Sequence, residues 1–199
     1  MTADELQNVL LELKSLPAET EWVEFKVNDP GEVKYPEIGE YLSAIANSLA
    51  LVRRERGYIV WGIDDITHEL VGTNFRPRQA RVGNEELENW LTRLLAPQIR
   101  FELHELDWDS RHFVVIEIAP ATHTPVRFSG DEFIHVGSLK KRLKEHPEKE
   151  RELWLRLSAS ADWSAEVCPN ATLDDLDPAA IAFARKEYAQ RNPHLADEV

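Results

Sequence analysis

Four carboxylates and one lysine are the residues of this sequence best placed for chemistry. Glu19, Glu24 and Lys26 fall within one stretch of eight residues, and Asp64 and Asp65 follow as an adjacent pair. Carboxylate oxygens are the hard ligands that Mg²⁺ and Mn²⁺ prefer. A lysine beside them can stabilise charge that develops on a phosphate, or help place an attacking water. That mixture suits metal-dependent cleavage of a phosphodiester. Each half also has a plainer explanation. Glu24 and Lys26, two residues apart, share one face of a strand and can serve as ion-pair partners across a sheet. Two aspartates after a strand readily make a turn, although both ionised and close together they would call for a cation or a base nearby.

The elements that must position these residues can be read from periodicity. Leu6, Val9, Leu10, Leu13 and Leu16 form a helical stripe that Pro17 ends. Residues 22–27 alternate, which predicts a strand with Val23, Phe25 and Val27 toward the core and Trp22, Glu24 and Lys26 on a polar face. A turn is expected at Asp29 to Gly31, then a helix from Tyr35 to Leu51 with Pro36 in its first turn. The unbroken apolar run from Tyr58 to Ile63 predicts a central strand covered on both faces, with Asp64 and Asp65 at its end. Further on, a short return strand is expected at 69–72, a helix at 85–95 and a strand pair at 99–106 and 112–118. Ser129-Gly130-Asp131 marks a hairpin between 125–128 and 132–136. From Leu139 the charged pattern reads as helix, and Leu173 to Gln190 as a last one. The order predicts an α+β fold, a mixed β-sheet with helices packed on it. Residues 1–158 are expected to form the main domain and 159–199 an acidic helical extension.

Hydrophobic residues make up 43% of the 199, enough for a real core. No apolar stretch approaches the ~20 residues of a membrane span. The N-terminus lacks the basic region of a signal peptide, and the single cysteine, Cys168, permits no internal disulfide. These features predict a cytoplasmic protein without a membrane partner. The formal charge of −13 argues against tight, indiscriminate binding to duplex nucleic acid. Basic residues are nevertheless gathered locally, as Arg53, Arg54 and Arg56, as Arg76, Arg78 and Arg81, and as Lys140, Lys141, Arg142 and Lys144. A focused basic groove remains compatible with the overall charge.

Five elements in order carry a family resemblance. Glu19-Thr20, followed by Glu24-Phe25-Lys26, fits E-[ST]-x-x-x-E-F-K. Ala44-Ile45-Ala46-Asn47-Ser48 fits A-x-A-N-[ST], and residues 57–65 fit G-Y-[IV]-x-x-G-[IV]-D-D. Val71-Gly72 is the short return, and Phe133-Ile134-His135-Val136-Gly137-Ser138 fits [FY]-[IV]-x-V-G-S. Over residues 3–158 the chain resembles the Schlafen-like, AlbA-type DNA-binding domains, also called the divergent AAA domain of bacterial regulators. The resemblance implies a Schlafen-core-like fold and contact with nucleic acid, RNA or DNA. It implies one of two activities: a metal-dependent endoribonuclease acting on RNA such as transfer RNA, or a non-catalytic DNA-binding module of a transcriptional regulator. In the first, Glu19, Glu24 and Asp65, with Asp64 as the alternative aspartate, would hold Mg²⁺ or Mn²⁺ beside Lys26. A protein-interaction domain with a vestigial acidic site is a third reading, favoured by the −13 charge.

The chain departs from the family pattern before the central strand. There Leu49 to Arg56 replace the usual glycine pair, so that Arg53, Arg54 and Arg56 become candidate phosphate contacts together with Lys140, Lys141, Arg142 and Lys144. The divergent AAA label does not extend to ATP: no G-x-x-x-x-G-K-[ST] occurs, and Gly137 to Lys141 lacks its first glycine, so no ATP site is predicted. Neither G-x-S-x-G nor any other nucleophile–base pattern is present. His135 is read as a surface or hydrogen-bonding residue. The sequence leaves room for a homodimer and for a further domain or partner protein beyond the C-terminus.

Overall fold

Thr2 starts the first helix with a capping box. Its hydroxyl accepts from the Glu5 N–H while the Glu5 carboxylate accepts from the Thr2 N–H, satisfying two backbone donors of the first turn. Helix α1 runs Ala3–Lys14 and buries Leu6, Leu10 and Leu13. The computed structural model describes residues 1–16, 20–27, 33–159, 172 and 175–193. The turn expected at Asp29 to Gly31, Glu19 and Cys168 lie outside the described residues.

Strand β1 (Val23–Lys26) is followed by α2 (Tyr35–Val52) and β2 (Gly57–Trp61). β1 and β2 pair in parallel, with Glu24 beside Ile59 and Lys26 beside Trp61. A small hairpin, β3 (Arg81–Val82) with β4 (Glu85–Glu86), precedes α3 (Leu87–Leu94) and the two-residue β5 (Leu95–Ala96). The helix expected over 85–95 is therefore shorter, because both of its ends are taken into strand pairs. The long strands β6 (Phe101–Trp108) and β7 (Arg111–Ile118) complete a sheet in the order β1-β2-β7-β6.

A second sheet, wholly antiparallel, has the order β10-β9-β8-β5, with β8 Arg127–Phe128, β9 Asp131–Val136 and β10 Leu139–Arg142. Ser129 and Gly130 both take positive φ, 52° and 94°, the geometry of a two-residue turn whose twist matches its strands. The segment from Leu139, expected as helix, is strand β10. A turn at Gly137 folds it back onto β9, so that Lys140 faces His135 in register. Leu-Lys-Lys-Arg carries no β-branched or aromatic residue, and pairing with β9 overrides its weak local preference. Helix α4 (Pro147–Ala159) follows. The chain divides into two compact units, Met1–Ala161 and Asp162–Val199. Within the second, α5 (Pro178–Arg191) is capped by the Asp177 carboxylate and buries none of its residues.

The fold is α+β. One core cluster joins α1 to Val23, Phe25, Val60, Ile63, Phe113 and Val115 on one face of the first sheet. A larger one covers the opposite face with α2, α3, α4 and the second sheet. Helix α2 is the common wall of both sheets, as the buried side chains along it require. Among the described residues, no helix is long and apolar enough to cross a membrane.

Candidate functional site

β1 brings Glu24 and Lys26 to the same face, as the alternation predicts, but that face is not open to water. Glu24 is 5% exposed, because Tyr41 of α2 and His135 of β9 lie over it. The sequence pattern could not reveal a second sheet on that side. Glu24 Oε1 accepts from the Lys26 ammonium, which also donates to the Tyr41 hydroxyl at 3.0 Å. Burial alone would lower the Lys26 pKa, yet the Glu24 charge and these two hydrogen bonds outweigh it and hold the ammonium above its ordinary range. Burial raises the Tyr41 phenol to about 12. The Tyr41 ring lies between two cations, Lys26 at 4.4 Å and Lys140 at 4.1 Å from its centroid, and Lys140 in turn pairs with Glu40 at 2.5 Å. Lys26 and Tyr41 also line a small pocket of about 100 Å³ with Lys34 and Trp61.

His135 is fully buried, so of the two expected roles, surface or hydrogen-bonding, it takes the second. Phe133, two residues before it, shares its face and is buried too. Reading Ile134 and Val136 as the only core side missed that both faces of β9 are covered. The His135 Nδ1 lies 3.2 Å from the Glu21 carbonyl, which can only accept, so Nδ1 carries the hydrogen. The Nε2 lone pair then faces Glu24 Oε2 at 3.9 Å. Burial lowers the His135 pKa to about 4.

A pH dependence follows. Between the unfolded value of about 6.5 and the folded value, only the unfolded chain takes up this proton, so stability falls as pH drops through that window and is unaffected by His135 above it. The loss is on the order of 3 kcal/mol across the window. Urea denaturation at pH 7 and pH 4.5 should register it in the wild type, and His135→Gln should flatten the difference; equal pH dependence in both proteins contradicts the assignment.

Asp64 caps a turn. Asp64 Oδ1 accepts from the N–H groups of Ile66 and Thr67, at 3.0 and 2.7 Å, and from the Thr67 hydroxyl at 2.9 Å. These hydrogen bonds, the Thr67 N–H foremost, hold the Asp64 carboxyl below its ordinary range. Gly62, at φ +105°, makes the bend possible: a Cβ there would meet Phe113 at 2.7 Å and the Gly72 backbone at 3.1 Å. Asp65 is exposed. Register sets Glu24 level with Ile59, whereas Asp64 comes five residues later. Among the described residues no three His, Cys, Asp or Glu side chains converge in a manner that could hold a metal ion. The Mg²⁺ or Mn²⁺ site that the resemblance implies also takes Glu19, which lies outside the described residues.

Of the seven basic candidates, four are engaged by acids. Arg56 meets Glu117 at 3.2 Å, Lys140 meets Glu40, and Arg142 and Lys144 share Asp131 at 3.7 and 3.4 Å. Arg53, Arg54 and Lys141 have no carboxylate within 4 Å among the described residues. The Arg54 guanidinium lies 3.7 Å above the Trp22 ring centroid. With Arg53, Arg56, Tyr58 and the α1 residues Val9, Glu12 and Leu13, it lines a cleft of about 540 Å³. Asn47, at a family-typical position, holds the fold together. Its amide donates to the Val126 and Phe133 carbonyls and accepts from the Val126 N–H.

The motifs threaded through these elements are those of a defined family, and the model of the family described as Schlafen, AlbA_2 matches residues 19–144, well over half of the chain. The chain belongs to the Schlafen, AlbA_2 family. The match takes in β1, α2, both sheets and the basic strand β10, and stops before α4. Among solved structures, this Schlafen, AlbA_2 domain is similar to the DIP2311 protein from Corynebacterium diphtheriae, with 19% identity and a TM-score of 0.44 over 97% of this chain and 34% of that one. It is also similar to the N-terminal domain of a RecG-related protein from Nitrosomonas europaea, with 20% identity and a TM-score of 0.41 over 62% of this chain and 79% of that one. The chain thus spans about a third of the length of the first of these. No curated protein gives a significant match.

Proposed function

We propose that this Schlafen, AlbA_2 domain binds single-stranded nucleic acid, RNA or DNA, along the flank of β1. The observation that carries the reading is a set of unneutralised cations in a chain of net charge −13: Arg53 and Arg54 beside the start of β1, with Arg54 stacked on Trp22, and Lys141 on β10. The other four bases of these two clusters are matched by acids, so the unmatched ones mark where an external anion is favoured. Trp22 and Lys26 are four residues apart, about 13 Å along the strand. The cleft at the start of β1 holds the unmatched arginines, whereas Lys26 and Lys140 beside Tyr41 at its other end are matched by Glu24 and Glu40. Guanidinium planes and aromatic rings along a basic track are the chemistry that holds a single strand with little sequence preference. Family membership supports the same reading.

Hydrolysis is a separate requirement. It needs Glu19, Glu24 and an aspartate of the 64–65 pair at one metal, and Glu19 lies outside the described residues. Incubation of transfer RNA with Mn²⁺ or Mg²⁺, with Glu24→Gln as control, tests that step independently of binding. Binding itself is tested by ultraviolet cross-linking of the full chain to 4-thiouridine RNA and the corresponding thiolated DNA. Cross-linked peptides should contain Trp22, Tyr58 or residues 139–144. Cross-links confined to β6 or α4 would place the contact elsewhere.

A further inference from the structure

Three histidines have a buried Nε2 without a hydrogen-bond partner, and each faces a carboxylate oxygen within 4 Å. Two of these pairs are electrostatically closed to a cation. The other oxygen of Glu24 already holds the Lys26 ammonium, and Glu102, opposite His104, is held by the Arg100 guanidinium.

The third pair lies on the β6–β7 hairpin. His112 is paired across the hairpin with Asp107, and its Nδ1 lies 2.6 Å from Asp107 Oδ1. An ionised carboxylate only accepts, so Nδ1 carries the hydrogen, which leaves Nε2 as the ring nitrogen free to ligate a cation. That nitrogen faces Glu105 Oε2 at 3.6 Å. That separation is too long for a hydrogen bond. Two metal–ligand bonds of about 2.1 Å at a tetrahedral angle span about 3.4 Å. The His112 side chain is 6% exposed and that of Glu105 19%, which leaves a route for an ion from the Glu105 side. The other Glu105 oxygen accepts only the Arg78 backbone N–H, at 3.2 Å, and no lysine or arginine forms an ion pair with Glu105 among the described residues. A carboxylate that fixes the tautomer of a ligating histidine is the usual outer partner of such a ligand.

We propose that His112 Nε2 and Glu105 Oε2 bind one divalent transition-metal ion of the zinc class, with Asp107 orienting the imidazole and water completing the coordination. Imidazole with carboxylate suits Zn²⁺ better than Mg²⁺, which prefers oxygen alone. The site is independent of the nucleic-acid reading.

The test uses the chelator-stripped full chain, titrated with Zn²⁺ against a chromophoric zinc indicator. Wild type should take up one equivalent that Glu105→Gln and His112→Gln lose. Asp107→Asn should keep the equivalent but weaken it roughly 10- to 100-fold. Glu105→Gln preserves size and the hydrogen bond from Arg78, so it carries the test if His112→Gln does not fold. Zn²⁺ uptake unchanged in Glu105→Gln would assign the ion to the other histidines or Cys168 and overturn the proposal. No uptake by wild type would overturn it as well.

Discussion

Asn47→Ala is expected to remove about 3–5 kcal/mol of stability, a large share of what holds a domain of this size folded. Asn47 is fully buried and joins α2 to two separate segments of the second sheet. Its amide nitrogen reaches the Val126 carbonyl at 2.9 Å and the Phe133 carbonyl at 2.8 Å, while its oxygen accepts from the Val126 N–H at 2.7 Å. Alanine leaves the Val126 N–H and the Phe133 carbonyl without this partner in a dry interior. Each such group costs about 1–3 kcal/mol, and a small cavity adds to that. The Val126 carbonyl is spared, because Ser43 Oγ donates to it at 2.7 Å. Ser43 therefore offers an internal comparison. Ser43→Ala should cost less than Asn47→Ala, since it takes a partner only from the Phe133 N–H, at 3.1 Å, and leaves Val126 held by Asn47. Urea denaturation of the two variants checks both the size and the order. A loss below about 1 kcal/mol for Asn47→Ala would show that the polar ladder along α2 does not hold the sheets together.

The second large effect concerns binding. Arg53→Ala with Arg54→Ala should weaken single-strand affinity at least 10-fold, from the loss of two phosphate contacts and a stacked guanidinium. The slope of log affinity against log salt should fall by about 1.4, two contacts at about 0.7 each. Arg54→Lys separates the contributions: it keeps the charge and loses the planar stack on Trp22, so it should restore the salt slope but not the full affinity. Lys140→Ala should act more weakly than Lys141→Ala, because Lys140 is already paired with Glu40. A folded Arg53/Arg54 double variant that binds like wild type would remove the cleft from the interface.

Much of the scaffold was legible in the residue order. The stripe of α1, the unbroken apolar run of β2 and the Ser129-Gly130 hairpin are local signals, and each element formed where its pattern placed it. The site was less legible because its geometry depends on what covers β1. Alternation correctly put Glu24 and Lys26 on one side, but only the second sheet makes that side an interior. The strand that closes it, β10, carries no strand signal in Leu139 to Arg142 and forms because β9 is beside it. His135 followed from the same omission: Phe133 and His135 on one side of β9 and Ile134 on the other are all buried, so both of its faces are covered. The aspartate pair admitted a turn or a metal ligand from sequence, and three hydrogen bonds to Asp64 Oδ1 show that Asp64 makes the turn. Which cations stay unmatched could not be read at all, since Glu40 and Glu117 reach their partners from distant parts of the chain and Asp131 meets its own through the β9–β10 pairing.

The reading of this domain as a nucleic-acid binder therefore rests on Arg53, Arg54 and Lys141 rather than on the acidic residues. Fluorescence anisotropy of labelled single-stranded RNA and DNA, titrated with the full chain at low and at physiological salt, tests it most directly. Saturable binding that weakens steeply with salt, and that Arg53→Ala with Arg54→Ala and Lys141→Ala largely removes, is the expected result. Absence of binding at low salt to every single strand tested would contradict it.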